Sequence, residues 1–163
     1  MQNWEFSRVF EKYHGLVFRT AYRITGNAAD AEDVLQTIFL RLLRRDSGGS
    51  LAGQEESYLR RAAVNGSLDV IRARQTAAKA PFGEEAAQTS GAPYELRDCL
   101  RRALACLNPR SAEIFALRYL EDFTNQQIAR ALNLSQVYVA VTLHRTRRQL
   151  QKEMNTSYFG GRS

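Results

Sequence analysis

At 163 residues the chain can form one ordinary domain or two small ones, and 44% hydrophobic with 25% charged residues is the balance of a chain that folds around a core. A net charge of +6, from 23 Lys and Arg against 17 Asp and Glu, favours a polyanionic partner by long-range attraction. No stretch reaches the roughly 20 apolar residues of a membrane span, and Met1-Gln2-Asn3-Trp4-Glu5 lacks the basic-then-apolar order of a secretion signal, so a cytoplasmic location is expected.

The apolar periodicity is helical throughout, and alternating strand patterns are absent. A first helix is predicted from about Trp4 to Thr25, with Trp4, Val9, Phe10, Leu16, Val17, Ala21 and Ile24 available for its inner face. Gly26-Asn27 ends it, and Asn27 is placed to cap the next helix. Asp30, Glu32 and Asp33 crowd the first turns of that second helix, where its positive end favours carboxylates. It runs to about Arg45, with Leu35, Ile38, Phe39 and Leu42 at three-to-four spacing and Arg41, Arg44 and Arg45 near its negative end.

Asp46-Ser47-Gly48-Gly49-Ser50 reads as a loop. A third helix from about Glu55 to Arg74 puts Leu59, Ala62, Ala63, Gly66 and Val70 on a packing stripe and leaves Arg61, Asn65 and Arg72 on an open opposite face. From Gln75 to Pro93 the composition turns to Ala, Gly, Ser, Thr and Pro, the mark of a linker. These boundaries divide the chain into a domain at 1–75, a linker at 76–93 and a domain at 94–163.

The second domain opens with a helix from Tyr94 to Leu107, and Asn108-Pro109 restarts another by an N-cap followed by proline. Cys99 and Cys106 share a face of the first of these, about two turns or roughly 10 Å apart, too far for a disulfide within one helix. With His14 and His144 they form no metal-ligand pattern, so both are expected to be buried thiols, and no metal or cofactor is expected.

The segment from Phe123 to Arg145 has the geometry of a helix-turn-helix. Thr124 can cap a short helix, Ile128 and Leu132 face inward, and small Ala129 permits close approach. Asn133 can take the left-handed conformation of a tight turn, and Ser135 caps the next helix, which Val139 and Leu143 pack back. Gln136, Tyr138, Val141, Thr142, His144, Arg145 and Arg148 remain outward, placed to enter a major groove. Lysine occurs only at Lys12, Lys79 and Lys152, and arginine's planar fork suits phosphates and guanine edges better than a point charge does.

Taken together, the chain resembles the extracytoplasmic-function sigma factors, all-α proteins with two small helical domains, region two and region four, joined by a flexible linker. The resemblance spans roughly Phe6 to Met154. Its more specific part, Gly26-Asn27-Ala28-Ala29-Asp30-Ala31-Glu32-Asp33-Val34-Leu35-Gln36-Thr37-Ile38-Phe39-Leu40-Arg41, is similar to the family's acidic-capped helix that docks on the clamp helices of RNA polymerase. The resemblance implies that Asp33, Gln36, Leu40, Arg41 and Arg44 contact core polymerase.

Tyr58-Leu59-Arg60-Arg61-Ala62-Ala63-Val64-Asn65, continuing to Arg72, resembles the promoter-melting helix. On that likeness Tyr58 stacks on a base, Asn65 reads a base edge, Arg61 and Arg72 hold phosphates, and the loop from Asp46 to Glu56 lines a pocket for a flipped base. Arg118, Arg145 and Arg148 are expected to reach the minus-thirty-five element, with Tyr138, Val141, Thr142 and His144 beside them. The family's usual Gly-Thr-Val-Lys-Ser-Arg is here Val137-Tyr138-Val139-Ala140-Val141-Thr142, so two customary basic positions, at Ala140 and Thr142, are uncharged. Fewer phosphate contacts weaken binding, and apolar contacts from Tyr138 or Val141 to thymine methyls are a substitute.

The implied partners are core RNA polymerase and promoter DNA, with an anti-sigma protein as a further partner common in the family. Two other readings remain open at this point: a helix-turn-helix regulator that never engages polymerase, and a helical interaction module whose charge is incidental. The first lacks support from the initial 75 residues, which show no receiver-type alternation of strands and helices. An enzyme is disfavoured by the lack of a phosphate-cradling glycine loop or a nucleophile elbow.

Overall fold

The computed structural model describes residues 3–45, 51, 53–78 and 92–156, and among them every regular element is helical. In chain order these are α1 (Asn3–Thr25), α2 (Ala28–Arg44), α3 (Glu55–Ala78), α4 (Ala92–Cys106), α5 (Pro109–Tyr119), α6 (Asn125–Leu132) and α7 (Gln136–Met154).

The first lobe is a three-helix unit. Val9, Tyr13, Val17 and Ala21 of α1 meet Val34, Ile38, Phe39 and Leu42 of α2 and Leu59 and Ala63 of α3. Gly26 takes φ 65°, the left-handed stop that glycine tolerates best, and its amide donates to the Tyr22 carbonyl. One residue on, the Asn27 side chain accepts from the Asp30 amide at 3.0 Å, so α2 starts where its cap predicts. Gly66 lets α3 lie against α2: a Cβ there would stand 3.2 Å from Val34 Cγ1. Ion pairs Arg8–Glu55 (2.6 Å) and Arg74–Asp30 tie α3 to α1 and α2.

Three expectations need correction here. Trp4 is 66% exposed, not internal, because it precedes Val9 by five residues, about 140° round the helix from the buried stripe. The third helix continues past Arg74 to Ala78, and α4 already begins at Ala92, so the expected linker is helical at both margins; residues 79–91 lie outside the described residues, as do 46–50 and 52 of the expected pocket loop. Cys99 is buried, but Cys106 is exposed and its sulfur accepts from Gln75 Nε2 at 3.1 Å.

In the second lobe α4, α5, α6 and α7 enclose Leu104, Leu107, Ile114, Leu117, Ile128, Val139, Leu143 and Leu150. Ile24, Val64, Leu68 and Ile71 of the first lobe belong to the same apolar cluster, so the two lobes are packed together along α3.

Candidate docking and nucleic-acid interfaces

Helix α2 has two sharply different sides. Val34, Ile38, Phe39 and Leu42 are buried, and Asp33, Gln36, Leu40, Arg41 and Arg44 are all exposed on the side the core leaves uncovered. Leu43, 47% exposed, adds a second apolar side chain one turn from Leu40. Sequence reading passed over it, although its place off the Leu35, Ile38, Phe39, Leu42 stripe was the available signal. The outer face of α2 thus combines an apolar pair with an acid, an amide and arginines, the composition of a protein-docking surface.

On α3, Tyr58 is exposed at the N-terminal end, with the Arg45 guanidinium 5.6 Å from its ring centroid. Farther along, the face expected to be open is covered. Val64, Leu68 and Ile71 interleave with Arg61, Asn65 and Arg72 and form a second apolar stripe, which the second lobe buries. Consequently Asn65 is half-buried and Arg61 Nε donates to Glu113 Oε1 at 2.6 Å, while Arg72 Nη1 donates within its own helix to Asp69 Oδ1 at 3.3 Å. Neighbouring Arg60 bridges Glu56 and Glu121. Burial works against the Arg60 charge, and the hydrogen bonds to Glu56 and Glu121 more than offset it, raising the guanidinium above its ordinary value.

The helix-turn-helix is built as its sequence implies. Thr124 Oγ1 accepts from the Gln127 amide at 3.1 Å, and Gln127 Oε1 accepts from the Thr124 amide at 2.8 Å, a reciprocal capping box. Ile128, Ala129 and Leu132 turn inward. Asn133 has φ 54° and ψ 51°, and the Leu134 amide reaches back to the Ala129 carbonyl at 2.9 Å, closing the turn. Ser135 Oγ then accepts from the Tyr138 amide at 3.1 Å and starts α7.

Val139, Leu143, Thr146 and Leu150 anchor α7, leaving Gln136, Tyr138, Val141, His144, Arg145 and Arg148 exposed and Thr142 half-buried. Val137 is 74% exposed and stands beside Tyr138 and Val141, so the start of this helix presents an apolar and aromatic surface. Arg118 is placed apart from this group. Its guanidinium lies 5.6 Å from the Tyr119 ring centroid, which it shares with Arg147 at 6.0 Å, and Arg147 is about 200° of helix from Arg145.

The family model for Sigma-70 region 2 matches residues 9–77, and that for Sigma-70, region 4 matches residues 97–150. An RNA polymerase sigma-E factor of Streptomyces avermitilis is 27% identical over 154 residues, covering 93% of this chain and 86% of the relative. The ECF RNA polymerase sigma factor SigW of Bacillus subtilis is 22% identical, covering 91% of this chain and 88% of its own length. In fold, the chain is similar to the sigma factor RpoE of Bartonella quintana, solved in complex with the anti-sigma factor NepR, with a TM-score of 0.53 and 17% identity over 94% of this chain and 98% of that one. The region 2 match is the half that a stand-alone helix-turn-helix regulator lacks. With both regions matched in order and relatives of one kind spanning the chain, it belongs to the sigma-70 family of RNA polymerase sigma factors, in its extracytoplasmic-function group, and acts in transcription initiation.

Proposed function

We propose that the two lobes divide promoter recognition between them. The first, residues 1–75, docks on core polymerase through Asp33, Gln36, Leu40, Arg41 and Arg44 and holds the separated minus-ten strand, with Tyr58 stacking on a base, Asn65 reading a base edge, and Arg61 and Arg72 on phosphates. The second, residues 94–163, reads the minus-thirty-five element with Arg118, Tyr138, Val141, Thr142, His144, Arg145 and Arg148. Residues 76–93 connect the two.

The observation that carries this reading is the outer side of α2. All five residues assigned to polymerase are exposed together on a helix whose opposite side is core. The chain itself performs no chemistry, which belongs to polymerase, and it works in the cytoplasm. Low affinity for DNA alone is expected, because each lobe reads a short element and polymerase makes the two act together. An anti-sigma protein, the kind of partner NepR is for RpoE, is a further partner of this reading.

Variants separate the two lobes' roles when assayed in transcription with core polymerase on a promoter library. Asn65→Ala should change the preferred downstream motif, and Arg145→Ala should weaken upstream recognition. If Arg145 contacts only phosphate, its loss should weaken all promoters alike and reduce the salt slope by about 1. Unchanged motifs and an unchanged slope would remove both residues from the interface.

A further inference from the structure

Helix α7 carries on its outer side two valines that the core does not use. Val139, Leu143, Thr146 and Leu150 define its buried stripe. At about 100° per residue, the direction opposite that stripe falls on Val137, Val141 and Arg148, with His144 and Arg145 beside them. All five are exposed, and Tyr138 flanks the valines. The outward line thus changes character along the helix, aliphatic over the first two turns and basic over the next two, and from Gln136 to Arg148 it holds no carboxylate. Single exposed apolar side chains are ordinary on a protein surface. Here two stand one turn apart at the centre of the free face, on the second helix of a helix-turn-helix.

We propose that Val137 and Val141 read the C5 methyl groups of thymines in the major groove, so that the upstream element of this chain's promoters carries thymine at two nearby positions. The methyl is the one alkyl group that base pairs present in that groove, where the other recognition points are hydrogen-bond donors and acceptors. A valine set against a methyl removes apolar surface from water on both sides. Set against a guanine or adenine edge, it covers polar atoms that it cannot pair. Selectivity therefore comes from a gain at thymine and a loss elsewhere.

Charge decides for DNA over a protein partner. Arg145 and Arg148 continue the valine line and suit phosphates, and no acid stands near enough along the helix to repel them. Reach agrees as well. Valine is short and touches a base only when the helix is seated deep, and exposed Ala140, between the two valines, is too small to hold the helix off. Val137 and Val141 lie about 6 Å apart along the helix axis, roughly two base-pair steps of 3.4 Å.

The methyl reading rests on the assignment of α7 to the minus-thirty-five element, and one experiment separates the two. Holoenzyme assembled from core polymerase and the full chain transcribes a fragmented genomic library, and the mapped starts define the upstream motif. One promoter of that set is then made with uracil in place of each motif thymine, which removes the methyl and leaves the hydrogen-bonding edge intact. A control carries uracil only outside both promoter elements. Holoenzyme affinity is measured by competition at one fixed salt concentration.

Each contacted methyl that is removed should weaken binding about fourfold, and the control should bind as the parent promoter does. Val137→Ala and Val141→Ala truncate exposed side chains and spare the core. Each should weaken binding to the thymine promoter by a similar factor, and the double variant should no longer distinguish thymine from uracil. An upstream motif without thymine, equal affinity for thymine and uracil, or an undiminished distinction in the double variant would overturn the methyl reading. So would a double variant whose only defect is weaker binding to core without DNA, which would place this face on polymerase. A motif sensitive to Arg145→Ala but indifferent to uracil would remove the methyl reading alone, whereas absence of any upstream motif would remove the assignment of α7 with it.

Discussion

Leu40 and Leu42 sit two positions apart on α2, one 49% exposed and the other 1%. Fully burying a leucine side chain is worth about 1.5–3 kcal/mol. At Leu40 about half of that remains to be gained, so Leu40→Ala should cost about 1 kcal/mol of docking energy on core polymerase, roughly a fivefold weaker Kd. Folding should hardly notice, since a surface substitution of this kind stays within about 0.5 kcal/mol. Leu42→Ala does the opposite: it opens a cavity among Ile38, Phe39 and the α1 side chains and should cost about 2–5 kcal/mol of stability. Titrating labelled chain with core polymerase and melting both variants by circular dichroism separates the two effects. The reasoning is refuted if Leu40→Ala melts as early as Leu42→Ala, or if neither Leu40→Ala nor the double variant with Leu43→Ala weakens core binding.

The turn of the helix-turn-helix gives a second prediction: Asn133→Val forces a β-branched residue into φ 54° and should destabilise by about 1–2 kcal/mol, whereas Asn133→Gly should melt near the parent, and equal losses would place the cost elsewhere. Thr124→Ala breaks the reciprocal cap of α6 and should lower stability by about 1 kcal/mol, together with upstream DNA protection in a footprint; an unchanged melt would contradict the capping role. At Gly26 the added methyl of Gly26→Ala is strained by φ 65° and collides with the Arg101 guanidinium. Truncating Arg101 as well should recover part of the lost stability in a double-mutant cycle, and strict additivity of the two changes would contradict the contact.

What could be read in advance was what neighbours in sequence decide. Asn27, Thr124, Asn133 and Ser135 act within three residues of themselves, through side-chain oxygens on nearby amides or a tolerated left-handed backbone, and the helix starts and the turn follow from them. The outer face of α2 was legible for a similar reason, because one apolar stripe accounts for its core side and the rest must face outward. Helix α3 defeated the same logic. Its Val64, Leu68 and Ile71 form a second stripe between the charged positions, and what covers it comes from residues far along the chain: Arg61 finds Glu113 across 52 positions and Arg60 finds Glu121 across 61. No local periodicity carries that pairing. The exposure of Cys106 is likewise a property of where α4 meets Gln75, not of the helix that bears it.

The most direct measurement is transcription in vitro with purified core polymerase and this chain as the only added factor, on a fragmented genomic library, with start sites mapped by sequencing. The account predicts a stable complex with core and starts confined to a small set of promoters sharing one downstream and one upstream motif at fixed spacing. Absence of a complex together with absence of specific starts would contradict it.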